Sequence, residues 1–150
     1  MDLPRSARFL TREFRRLSYE GFEIVGEPSK RYNCISYAAG DTTNPWSNHE
    51  DDYWPEYATR SADIQSLVEV FAGLGFVKCE DSSLQNGYEK VALYEEQGEW
   101  MHAAVQMPNG RWRSKMGQGP VIEHLSPESI SGGMYGNPTI YMRRARNAQV

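Results

Sequence analysis

The sequence predicts a single α+β domain, on three observations. Its 150 residues are the length of one ordinary domain with one core. Apolar residues recur at helical spacing in the first half, and from Phe76 onward the period changes to two. Between two of the later runs stands Pro108-Asn109-Gly110, whose Asn-Gly pair signals an antiparallel hairpin. Helices first and a meander of antiparallel strands afterwards is an α+β arrangement.

Taken in order, Phe9, Leu10, Phe14 and Leu17 mark an amphipathic helix over residues 4–18, with Pro4 suited to its first turn. Gly21 to Val25 is a candidate short strand. Tyr32 to Ala39 reads as a short helix with Asn33 near its N-cap and Gly40 at its C-terminal end. Residues 41–59, DTTNPWSNHEDDYWPEYAT, have no period and form a long loop, a place where function concentrates. Ser61 is expected to cap the clearest helix, where Ile64, Leu67, Val68, Phe71 and Leu74 share one face before Gly75. Strands are expected at Phe76 to Cys79, Lys90 to Tyr94, Met101 to Met107, Arg111 to Met116, Val121 to His124 and Thr139 to Met142. Ser126-Pro127 should start a turn or helix, and Gly132-Gly133-Met134-Tyr135-Gly136 is a tight bend.

Composition excludes several function classes. A net charge of -4 with a pI near 5.4 argues against nucleic acid, whose binding draws on clustered Lys and Arg. The two basic patches, Arg12 to Arg16 and Arg143 to Arg146, read as solvated faces near the termini. No segment approaches the ~20 apolar residues of a membrane span, and the N-terminus lacks the apolar stretch of a secretory signal. The expected address is cytoplasmic, although export by a non-classical route would leave no mark. Two cysteines in such a chain are expected to be reduced thiols. No C-x-x-C, H-E-x-x-H or phosphate-binding glycine loop is present, so neither a metal nor a cofactor is expected.

Cys34 is the first candidate for chemistry. A cysteine in the opening turn of a helix meets unpaired backbone N–H groups and the positive end of the dipole, which favour the thiolate. The same N–H groups suit an oxyanion on a substrate carbonyl. Against this stands a buried apolar role, the commonest fate of a free cysteine. His102, in EWMHAAVQM, is the second candidate, a base beside small residues that let another element approach; a strand histidine without a role is the alternative. His124, in VIEHL, would hold His102 in the right tautomer, with Gln118, Ser114 and Asn109 as competing orienters. The loop rings Trp46, Tyr53, Trp54 and Tyr57 either fold back on the core or line a groove. In the second case Trp46, Tyr53 and Trp54 contact substrate, with Asn33 and Ser114.

Taken together, YNCISYAAG, YWPEY, EKVALYEE, MHAAVQMPNGRWRSKMG, IEHL, MYG and YMRR resemble a bacterial family over roughly Tyr32 to Arg143. Its order of elements is similar to papain-like cysteine peptidases, especially their compact NlpC-type relatives. The resemblance implies N-terminal helices, with the nucleophile at a helix N-terminus, packed on an antiparallel sheet. It implies Cys34 as nucleophile, His102 as acid and base, and His124 or a residue of the Arg111 to Gln118 strand as orienter. The compact relatives place that third group nearer the histidine than His124 lies, at about the distance of Ser114. Where they carry Asp-Cys-Ser, this chain has Asn33-Cys34-Ile35. The activity so implied is a cysteine hydrolase or acyltransferase acting on an amide, with a peptide, protein or peptidoglycan-stem partner. The rival expectation is a non-catalytic binding or immunity-like module that uses residues 41–59 as its interaction surface.

Overall fold

The computed structural model describes residues 5–146, so the reading of Pro4 lies outside the described residues. Four helices, α1 (Arg5–Glu13), α2 (Arg15–Glu20), α3 (Cys34–Ala39) and α4 (Ile64–Gly73), accompany seven strands. The strands are β1 (Glu23–Gly26), β2 (Val77–Cys79), β3 (Tyr88–Glu96), β4 (Glu99–Gln106), β5 (Trp112–Lys115), β6 (Val121–His124) and β7 (Asn137–Ala145). They form one sheet in the order β1-β6-β5-β4-β3-β7-β2, with every pairing antiparallel. The protein is thus α+β. No helix among the described residues is long and apolar enough to cross a membrane.

Side chains alternate across the central strands, and both faces are covered. Val91, Leu93, Ala103 and Val105 face α3, α4 and the loop rings Trp46 and Trp54. Ala92, Tyr94 and Ala104 face Leu10, Phe14 and Leu17 of the N-terminal segment and Ile130 of a 3-10 turn, Pro127–Ile130. Two faces buried at once explain why the middle of β3 is buried without interruption, where a half-solvated strand would alternate.

Several expected boundaries shift for physical reasons. The single helix expected over residues 4–18 is two, broken at Phe14, whose extended backbone lets its ring drop fully into the core against Tyr135. The first strand runs Glu23–Gly26, slightly later than expected, in register with β6. Helix α4 is capped by Asp63, which accepts from the Gln65 N–H at 2.8 Å, and not by Ser61, whose hydroxyl is paired with that of Ser66. Strands β3 and β4 run longer than expected because Gln97 and Gly98 both adopt positive φ. This is the mirror-image turn that joins hairpin strands, with Glu96 directly opposite Glu99. The hairpin at Pro108-Asn109-Gly110 forms as expected, with Met107 and Arg111 closing it at 2.7 Å.

Candidate functional site

Helix α3 begins at Cys34 because Asn33 caps it. The Asn33 Oδ1 accepts from the Ser36 N–H at 3.0 Å, and the Ser36 hydroxyl returns the bond to the Asn33 N–H at 2.9 Å. The Asn33 side chain also donates to the Trp46 carbonyl at 2.7 Å and accepts from its N–H, so it ties the long loop to the helix start. Its oxygen and one of its two amide hydrogens are thereby held by structural bonds.

The Cys34 sulfur is buried, and burial pushes its thiol up to about 11. The backbone N–H groups of Ala103, Ile35 and Cys34 itself pull the other way, as does the charge of Lys115. Desolvation wins, so at neutral pH the group is a thiol and not the thiolate expected from the helix start. The place of the sulfur is nonetheless specific. Strand β4 pairs with β5 only at Val105 and Gln106, and Ala103, whose backbone acts on the sulfur, lies just beyond that ladder.

His102 is the residue before Ala103, so the fold brings the two segments together. The imidazole itself is fully buried, with the Tyr94 ring edge-on at 5.1 Å and the Tyr135 ring flat against it at 4.1 Å. Among the described residues neither ring nitrogen has a hydrogen-bond partner. The sulfur–imidazole hydrogen bond expected of a catalytic pair is therefore not formed, and the ring lies among members of the opposite core cluster from Cys34. Burial holds the His102 pKa well below its ordinary value, so the ring is a neutral base with both nitrogens uncommitted.

His124 does not orient His102. Its Nδ1 lies 2.8 Å from the Ser126 carbonyl and its Nε2 2.8 Å from the Ser114 hydroxyl, which occupies both nitrogens. Ser114 is fully buried and committed to His124, so it contacts no substrate. Gln118 is exposed at a turn, and Asn109 closes the hairpin by accepting from the Arg111 N–H.

The loop rings divide. Trp46 and Trp54 are buried; the Trp46 indole donates to Asp41 at 2.8 Å, the Trp54 indole donates to the Thr59 carbonyl, and Trp54 stacks on Trp100. Both are core residues and not groove walls. Tyr53 and Tyr57 remain about half exposed, although the Tyr57 hydroxyl donates to the Val70 carbonyl.

Two residues complete the site. Lys115 is fully buried; its ammonium donates to the Ser29 and Gly117 carbonyls at 2.7 and 2.6 Å and lies over the Tyr32 ring at 4.8 Å. Among the described residues no carboxylate is within ion-pair reach of it. Tyr135 stacks on His102 and reaches over Gly117. Both stand in motifs that carried the resemblance, SKMG and MYG, but nothing in their spacing assigns them a place beside Cys34.

Residues 23–143 match the family described as a Domain of unknown function (DUF7689). No curated protein and no solved structure matches the chain.

Proposed function

The chain belongs to the DUF7689 family, and we propose that it acts as a cysteine-dependent hydrolase or acyltransferase on an amide, with a papain-like, NlpC-type arrangement of its elements. One observation carries this reading: Cys34 opens helix α3 where backbone N–H groups, that of Ala103 first among them, act on its sulfur, and the residue before Ala103, His102, holds both imidazole nitrogens without a partner among the described residues. Leaving a buried imidazole without partners costs roughly 1–3 kcal/mol, a cost that a waiting catalytic base explains.

In this mechanism the resting thiol and imidazole are neutral. For His102 to take the thiol proton as the sulfur attacks the substrate carbonyl, the imidazole has to leave its place between Tyr94 and Tyr135. Backbone N–H groups at the start of α3 stabilise the oxyanion. On collapse the C–N bond breaks, and the imidazolium returns its proton to the leaving amine. The acyl group remains on Cys34 as a thioester. Water, or a second amine in the transferase case, then releases it and regenerates the thiol.

The test is an acylation burst with p-nitrophenyl esters of N-acetyl amino acids. One equivalent of nitrophenol per chain is expected, with the acyl mass on Cys34. Cys34→Ser should lose the burst with Tm within a few degrees, and His102→Gln should slow it about a hundredfold or more. A burst unchanged in Cys34→Ser, or located on Cys79, overturns the reading.

Burial favours a second reading, the non-catalytic binding or immunity-like module. Both Cys34 and His102 are closed off, while Tyr53 and Tyr57 offer exposed rings to a protein partner. Absence of acylation with every ester would favour it.

A further inference from the structure

Near the β2 edge of the sheet two cations stand side by side. Lys90 of β3 and Arg143 of β7 are directly opposed in the register, so both side chains leave the same face. Like charges so placed destabilise a sheet. The Lys90 side chain is moreover only 3% exposed, and its ammonium donates to the Asp81 carbonyl at 2.9 Å and to the Asp81 carboxylate at 3.2 Å. That carboxylate is itself 66% exposed and also accepts from the Ser83 N–H and hydroxyl. Arg143 donates to the Gln85 side-chain oxygen at 2.8 Å, and its guanidinium lies over the Tyr88 ring at 4.4 Å. Among the described residues no carboxylate is within ion-pair distance of Arg143 or of Lys78. Lys78, Lys90 and Arg143 line one open recess of about 460 Å³. Against these three stand two carboxylates, the exposed Glu80 and the committed Asp81, so the recess is positive in a chain whose net charge is -4.

We propose that this recess binds the phosphate group of a small molecule, held by Arg143 and Lys90 together, with Lys78 as the third cation. The Gln85 bond and the Tyr88 ring fix the guanidinium before a ligand arrives, and its remaining N–H groups are the fork that pairs with two phosphate oxygens. Lys90 has spent two of its three N–H groups on Asp81 and keeps one for the ligand. That one meets a third oxygen, which a phosphate has and a flat carboxylate lacks. The bound anion offsets the like-charge contact that the register imposes. Three cations in one recess of an acidic chain suit a small ligand; a nucleic-acid backbone draws its affinity from a longer row of them. The site is independent of Cys34: Lys90 shares its face of the sheet with Ala92, whereas Cys34 packs with Val91 and Leu93 on the other.

Cys79 reports on the site, because its thiol lies in the recess; burial raises its pKa, and Lys90 and Arg143 pull it back. The test follows alkylation of Cys79 in the full chain by iodoacetamide, mapped by mass spectrometry, as inorganic phosphate, glycerol phosphate or acetate is added at constant ionic strength. Both phosphates should slow the labelling about tenfold at saturation, and acetate should leave it unchanged. Arg143→Gln should raise the phosphate concentration for half-protection about tenfold. Because Arg143 also holds Gln85, a second variant, Lys78→Ala, changes an exposed side chain and should raise that concentration about threefold with Tm unchanged. Backbone amide NMR signals of residues 80–87 should move with phosphate in the same concentration range. Labelling that phosphate does not slow, with those amides unmoved, overturns the site. Equal protection by acetate overturns the phosphate assignment. An affinity that climbs with the length of an added oligonucleotide overturns the small-molecule assignment.

Discussion

The Ser114 hydroxyl and the His124 Nε2 are 2.8 Å apart across neighbouring strands of the sheet. On the other side of the ring, Nδ1 faces the Ser126 carbonyl, which only accepts, so the imidazole carries its hydrogen there and Nε2 accepts from the serine. Both side chains are fully buried. The pair is a polar peg within the sheet and stands apart from the thiol chemistry.

Ser114→Ala leaves the His124 Nε2 buried without a donor. The expected cost is about 1–3 kcal/mol, a fall of several degrees in the thermal midpoint. The rate of Cys34 alkylation should not change; a Ser114 that served catalysis would alter that rate instead.

Acid should destabilise the fold through its buried histidines. Burial lowers His124 to about 4 and His102 well below its ordinary 6.5. Below pH 6.5 the unfolded chain takes up protons that the native chain refuses, so stability is full above that value and is lost as pH falls toward 4. His124 alone accounts for roughly 3 kcal/mol across this window. Urea midpoints at pH 7, 5.5 and 4.5 should fall in that order, and less steeply in His124→Gln. Asp41, lowered to about 2 by its bonds to Thr43, acts only in stronger acid.

Cys34 should resist iodoacetamide at pH 6 to 7, with the more accessible Cys79 labelled first. Replacing Lys115 with Met removes a cation that acts on the sulfur. The Cys34 alkylation rate at pH 9 should then fall several-fold, while a Lys115→Arg variant that remains folded should retain more of it. Equal rates in the wild type and Lys115→Met would show that the buried ammonium serves packing alone.

Gly136 allows the bend that presents Tyr135. Its φ is +68°, and a Cβ there would meet the Glu95 carbonyl oxygen at 2.1 Å. Gly136→Ala should therefore destabilise by several kcal/mol and free the Tyr135 ring, which loss of its restricted NMR ring signals would report. Gly40→Ala, also at positive φ but with open space around it, should cost much less.

Much of the fold was legible because local chemistry and tertiary context agree. The Asn33 cap, the Gly40 end of α3, the apolar stripe of α4, the Asn109-Gly110 hairpin and β6 all follow from signals within a few residues. The extra length of β3 and β7 was not legible, since Glu89, Glu95, Arg143 and Arg144 look like surface residues and become strand only through pairing with each other's strands. The break at Phe14 depends on a ring stacking partner more than a hundred residues away, which no periodicity encodes. At the site, the helix start predicted the N–H groups around Cys34 but not their defeat by burial. The dipole is a local property, and desolvation is a property of the finished core. The commitments of His124 and Ser114 likewise depend on strand neighbours.

The two core faces have unequal shares of the chain's four indoles. Trp46, Trp54 and Trp100 gather on the α3 and α4 side, two of them stacked with ring centres 5.5 Å apart, and Trp112 alone serves the other. Intrinsic emission and near-ultraviolet dichroism will therefore follow mainly the melting of one layer. A chain with Trp112 as its sole fluorophore would watch the layer that holds Tyr135 and His102, and it would reveal whether the two halves come apart together.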